Sequence, residues 1–415
     1  MCLICMTLEG YDIVAYGAAL PAILADANWD LTVAGAGIIG SLTPVGMLLG
    51  ASLSGGLADN LGRRRVILVS VLVFTGAALV SAVAPNAVIF GVSRILVGVG
   101  VGAVVPTVSA LVYEYSPADR RNINTAVAFS GIGIGGGLAA GAAVYVLPTF
   151  GFRSEFALGG VAGILLLPLV FRYLPESLMF LASVGRVDEA RRLSHRLGLS
   201  LRQAPVGTHE ASADPLRGSE RFRLLLSRPL RVTTILLCLS TFSALLLIFG
   251  LTTWLPVLMR SAGYPLGSAL TFLAVLSVGM ALGPLAVGKL ADRVGSKAAV
   301  LLAFLLAIAG IVSLSLPLPT ALLYTAIAIA GGATNAAQIL LNVLIGSRYP
   351  TKIRGTAIGT ALSVGRLGAI CGPLLGGFLI GANLQPSWNF YAIAAAALLG
   401  MFCTAAVPRP KSTLS

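Results

Sequence analysis

Twelve stretches of this 415-residue chain are each apolar for about 20 residues or more, the length at which a helix crosses the hydrocarbon core of a bilayer. They lie near 1–24, 34–57, 66–84, 87–113, 123–147, 155–174, 231–255, 267–289, 299–317, 320–345, 355–381 and 388–407. Lipid offers a backbone amide no hydrogen-bond partner, so segments of this length must close their own bonds as α-helices. Only 10% of the residues are charged, against about a quarter in soluble domains, which excludes a water-soluble globular fold. The 49 glycines and 21 prolines do not argue otherwise, because small residues let membrane helices approach and neighbours re-satisfy kinks. The chain reads as an all-α membrane protein of twelve transmembrane helices.

A net charge of +13 raises the question of a nucleic-acid partner, and the positions of the 28 basic residues answer it. All but Arg94, Arg153, Arg260 and Arg366 fall in alternate loops or in the last tail, among them Arg63 to Arg65, Arg120, Arg121, Lys289, Arg293 and Arg348. Such one-sidedness marks cytoplasmic loops, so the long central loop and the C-terminus are expected in the cytoplasm of a cell whose inner or plasma membrane the chain crosses. The charge reports topology, and no nucleic acid is expected. Five cysteines sit in apolar stretches without ligand spacing, so neither a disulfide framework nor a metal is expected, and no cofactor is implied. The first span starts at Met1 without a basic leader, which points to a longer natural N-terminus and not to a cleaved signal.

A polar stretch divides the spans six and six, giving an N-terminal half 1–174, a cytoplasmic central loop 175–230 and a C-terminal half 231–415. Within the loop, Gly185 to Leu193 reads as a short amphipathic helix at the membrane surface. An internal repeat supports the division: Gly55, Asp59, Gly62, Arg63 and Arg64 recur in the same spacing as Gly288, Asp292, Gly295, Ser296 and Lys297, with Arg293 in place of Asn60. Each copy follows the second helix of a half. Parallel repeats of this kind belong to transporters whose substrate site lies near the midplane. The doubled motif resembles the loop signature of the major facilitator superfamily, and the resemblance covers essentially the whole chain. It implies the major facilitator fold, alternating access, and a loop that latches the halves in the outward-facing state. Leu174-Pro175-Glu176-Ser177 resembles a motif shared by sugar, organic-ion and aromatic-acid members. Glu114 with Arg120 and Arg121, at the inner end of the fourth helix, reads as a conformational ion-pair network.

The first span carries two acids, Glu9 and Asp12. A carboxylate in the middle of a membrane helix costs about 2.5 kcal/mol or far more, so each needs a partner or a water-filled cavity. Acids at i and i+3 share a helix face, which Tyr16 extends, and they are candidate proton-coupling groups; for either, snorkelling to the interface is the alternative. Arg94, in Arg94-Ile95-Leu96-Val97-Gly98, resembles a fourth-helix motif whose arginine is implicated in proton coupling; the alternative is snorkelling to the outer interface. Arg366 lies about eleven residues into its span, roughly 16 Å at 1.5 Å per residue, too deep to snorkel. Its fork suits a carboxylate, so it either binds a substrate anion or pairs with Glu9 or Asp12.

Leu8-Glu9-Gly10-Tyr11-Asp12 resembles the first-helix signature of the aromatic acid:proton symporter family, with Glu9 in place of an aspartate, and Arg366 stands where that family carries an arginine. The resemblance implies a proton-coupled symporter importing an aromatic carboxylate such as a hydroxybenzoate. Tyr11, Tyr16, Phe129 and Trp254 are candidate pocket aromatics, with ordinary packing as the alternative. Thr334, Asn335, Gln338 and Asn342 put amides on one face of the tenth helix, where they bind substrate hydroxyls or join helices. The glycines of the fifth helix read as packing elements. Rival readings are an exporter of drugs or metabolites and an importer of another small organic anion. An enzyme is not expected, because no nucleophile–base set or phosphate loop is present. The expected partners are a small organic anion, protons and the lipid bilayer, and the expected state is a monomer.

Overall fold

The computed structural model describes residues 1–117, 121–196, 218–228, 230–382 and 386–408. Fifteen helices occupy them: α1 Cys2–Ile23, α2 Val33–Leu61, α3 Arg63–Val83, α4 Ala87–Tyr115, α5 Arg121–Phe150, α6 Arg153–Tyr173, α7 Leu178–Ser183, α8 Val187–Arg196, α9 Gly218–Leu225, α10 Arg231–Ser261, α11 Leu266–Val294, α12 Ser296–Ser313, α13 Thr320–Arg348, α14 Thr351–Gly381 and α15 Pro386–Ala406. Twelve of them are long and apolar enough to cross a membrane, and no strand occurs among the described residues. The amphipathic segment of the central loop is α8; α7 and α9 are short helices that hydropathy did not single out.

Several boundaries are set by single residues. The Asn86 side chain accepts from the Ile89 amide at 2.9 Å and starts α4, and the Ser177 hydroxyl accepts from the Phe180 amide at 3.1 Å and starts α7. The turns before α3 and α12 are built on the repeated glycine of the loop motif. Gly62 has φ +90° and Gly295 φ +86°, with ψ 152° at both, a region that residues with a Cβ scarcely enter.

Close contacts gather the chain into two compact units. One comprises Met1–Asp12, Leu42–Gly135 and Arg153–Pro215; the other comprises Ile13–Ser41, Gly136–Phe152 and Leu216–Ser415. This grouping cuts through α1, α2 and α5. In the first unit α3 packs on α4 and α6, and Cys5, Met6, Ile67, Val71, Val108, Leu111 and Val170 form its buried core. Gly10 faces the Ile132 main chain and Gly135 faces that of Thr7, so closely that a Cβ at either would collide with backbone. These contacts hold the acid-bearing turn of α1 against α5. In the second unit α10 packs on α14, α11 on α13, and α12 on α13 and α15.

Candidate functional site

The turn of α1 that Gly10 seats carries Glu9, Tyr11 and Asp12. Asp12 is 3% exposed and Arg94, on α4, 1%. The guanidinium Nη1 and Nη2 donate to Oδ1 and Oδ2 of Asp12 at 2.7 and 2.9 Å, a two-pronged pair. Phe156 of α6 lies over the guanidinium with its centroid 5.4 Å away, and Phe90 meets Phe156 edge-on at 5.0 Å. Arg94 is therefore enclosed by protein and does not snorkel. Both carboxylate oxygens of Asp12 go to Arg94, which projects from α4, 82 residues along the chain.

Glu9 is 5% exposed and lines a cavity of about 10 Å³ with Cys5, Leu8, Val71, Phe74, Val101 and Val104. That is near the lower limit for one water molecule. Glu9 thus also sits inside the first unit and away from the interface. Tyr11 donates its hydroxyl to the main-chain carbonyl of Glu155 at 3.0 Å. Glu155 itself, on the first turn of α6, is fully buried, and neither of its carboxyl oxygens has a hydrogen-bond partner. The sequence reading passed over this acid because it stands next to Arg153 at the edge of a span, where loop charges are ordinary. An acid in the first turn of a helix whose other charges, Arg153 and Arg172, stand at its two ends was the available signal.

In the second unit the candidate residues part company. Tyr16 donates to the Ala36 carbonyl at 2.6 Å, and the fully buried Trp254 donates its indole N–H to the Pro373 carbonyl at 2.8 Å, so packing accounts for both side chains here. Phe129, of the first unit, packs partly buried on the hydrophobic core. Asn335 donates to the Met280 carbonyl at 2.7 Å and joins α13 to α11. Gln338, 8% exposed, and Asn342 one turn later have amide oxygens without a partner. Arg366 lies partly buried in the body of α14.

At the end of α4 remote from Asn86, Arg63 pairs with Glu114 at 2.5 Å, and Ser177 donates to Glu114 Oε2 at 2.7 Å. Glu176 accepts the Arg64 amide at 3.0 Å and the Ser177 amide at 2.9 Å, and the Arg64 guanidinium donates to the Phe171 carbonyl. Among the described side chains the cation of this network is Arg63; Arg120 lies outside the described residues, as do the side chains of Arg121 and Asp292. Gly55 and Asp59 are exposed, and Gly55 has no atom near enough to pack against. In the second copy, Lys297 donates to the carbonyls of Ala405 and Val407 at 2.8 and 2.7 Å.

A sequence profile described as Major Facilitator Superfamily matches residues 2–368 and 319–415. A benzoate transport protein of Acinetobacter baylyi is 34% identical over 399 residues, 95% of this chain and 85% of its own length. A gentisate transporter of Corynebacterium glutamicum is 33% identical over 411 residues, covering 98% and 86%. Among solved structures, the partially occluded inward-open xylose transporter XylE of E. coli superposes with a TM-score of 0.77 at 18% identity, covering 100% of this chain and 98% of the other.

Proposed function

Because this chain belongs to the major facilitator superfamily, we propose that it is a proton-coupled importer of an aromatic carboxylate of the benzoate and hydroxybenzoate kind. It is a transporter and not an enzyme, and two relatives matched over almost their whole lengths are named for aromatic acids. The observation that carries the coupling is the buried pair of Asp12 and Arg94. While Asp12 is ionised, its two charge-assisted bonds tie α1 to α4. A proton on Asp12 removes the charge on which those bonds depend and frees Arg94.

Arg366 receives the substrate carboxylate, for which a planar fork on α14 is suited. Gln338 and Asn342 receive a ring hydroxyl: their amide oxygens lack partners, and a hydroxyl both donates and accepts, so it fits either amide orientation. Proton and anion together neutralise the cavity, and six-helix halves 1–174 and 231–415 rock about the site. Positive loops put the C-terminus in the cytoplasm of a cell whose inner or plasma membrane holds the chain as a monomer.

The test is uptake of radiolabelled benzoate, 4-hydroxybenzoate and gentisate into proteoliposomes under an imposed proton gradient, with and without a protonophore and with a sodium gradient alone. At least one of the acids should accumulate, and the protonophore should abolish accumulation. Uptake that ignores the protonophore and follows sodium rejects the coupling. Failure with all three acids, or net movement only outward, rejects the substrate class or the direction.

A further inference from the structure

Glu155 is an acid for which the cycle above has no use. Its side chain is 0% exposed, and no hydrogen bond reaches either oxygen. The described charges of the first unit near it have partners of their own. From α1, Tyr11 donates to the main-chain carbonyl of Glu155 with its hydroxyl beside the carboxyl, and Asp12 is held by Arg94. From α4, Arg94 gives both terminal nitrogens to Asp12 and lies against the Phe156 ring. On α6 itself, Arg153 donates to the Ala84 carbonyl at 3.1 Å. Helix α3 sets Thr75 against Gly163 and Leu79 against Gly160.

A carboxylate ion enclosed in this way has neither a counter-charge nor an N–H to replace its water, and the dipole at the start of α6 replaces only a fraction of that loss. The neutral acid is the form such surroundings keep. Two acids on adjoining helices thus meet opposite surroundings, Asp12 a two-pronged guanidinium and Glu155 no hydrogen-bond partner for its carboxyl. Divergent environments of this sort assign an acid and a base. We propose that Glu155 is a second proton-carrying acid of the transport cycle, protonated in the conformation described here and ionised when the end of α6 that carries it is wetted. Tyr11 provides the linkage: it neighbours Asp12 in sequence and is bonded to the Glu155 carbonyl, so a shift of α1 on release of Arg94 pulls on the turn that carries Glu155.

The inference rests on the proton-coupled reading for its role in transport, but its chemical core is measurable without transport. Infrared spectra of the purified protein at neutral pH should show the carbonyl stretch of a protonated carboxyl that Glu155→Gln lacks and that Glu155→Asp retains. In proteoliposomes with 4-hydroxybenzoate, Glu155→Gln should keep exchange of labelled for unlabelled substrate near the parent rate, which shows that it folds. With one of two protons lost, its accumulation ratio should fall about tenfold below that of the parent for each pH unit of gradient. Glu155→Asp should recover accumulation with a displaced pH profile. Identical infrared spectra of parent and Glu155→Gln, or equal accumulation by the two at every pH, overturns the proposal. If the parent takes up no aromatic acid, the functional reading fails while the infrared comparison still decides the state of Glu155.

Discussion

Arg94 and Asp12 show why a buried pair is both a constraint and a switch. Each is enclosed to within a few per cent, and each satisfies the other through two bonds. Removing one partner of such a pair leaves a bare charge and destabilises a protein by about 3–5 kcal/mol, whereas replacing both with apolar groups is often neutral or better. Asp12→Ala should therefore lower the thermal unfolding midpoint in detergent, and Asp12→Leu with Arg94→Met should recover most of the loss while remaining inactive. Equal destabilisation by single and double variants would show that the pair is not coupled. Asp12→Asn, which removes the charge and keeps the shape, should abolish accumulation and spare substrate exchange. Arg366 answers for the substrate. Arg366→Lys keeps the charge but not the fork, so most affinity for 4-hydroxybenzoate should go with it. The parent should prefer 4-hydroxybenzoate strongly over its uncharged amide, and Arg366→Ala should scarcely distinguish them. If both proteins discriminate alike, the anion is read elsewhere, with Arg94 the next candidate.

At the scale of elements, the repeated loop motif does the same thing twice. Gly62 and Gly295 make the positive-φ turn into α3 and α12, and the cation two residues on caps a closing helix: Arg64 at the Phe171 carbonyl of α6, Lys297 at the last carbonyls of α15. A cation at a helix C-terminus meets unpaired carbonyls and the negative end of the dipole. Gly295 has open space where a Cβ would go, so Gly295→Ala tests the backbone alone and should destabilise by about 1–3 kcal/mol. Gly62→Ala should cost more, because its Cβ would also meet the Glu176 carboxylate and the Phe180 ring. Thermal unfolding of the two variants checks the order, and equal shifts would remove the steric part of the argument. The latch expected of Gly55 and Asp59 is not made within the first unit, where both are exposed; the bonds of this loop are those of Arg63 and Arg64.

Within the second unit, α1 and α2 pack tightly on α10 and α14. Gly17 lies on the Thr252 main chain, Gly37 on that of Pro373 and Gly377, and Ala18 is fully buried. A cysteine at Gly55 should therefore react with a membrane-impermeant maleimide, and one at Ala18 should not, once the native cysteines are replaced. With the C-terminus in the cytoplasm, the Gly55 cysteine should react in inside-out vesicles only; reaction in right-side-out vesicles alone reverses the topology. The twelve spans were legible in the sequence because about 20 apolar residues in lipid have one way to satisfy their amides. The loop motif was legible because it occurs twice, and the membrane-embedded charges because each is costly enough to need a reason. Pairing was not legible. Whether Asp12 meets Arg94 or Arg366 depends on which helices the packing of glycines such as Gly10 and Gly135 brings together, and charge attraction acts alike on either arginine. Glu155 looked like a loop acid because its exposure is set by α1 and α3 and not by its neighbours in sequence. Composition and period thus determined the membrane-spanning fold and the list of unusual side chains. Only the tertiary structure decided which of them are partners and which stand alone, because burial and hydrogen bonding are properties of helices assembled, not of a helix by itself.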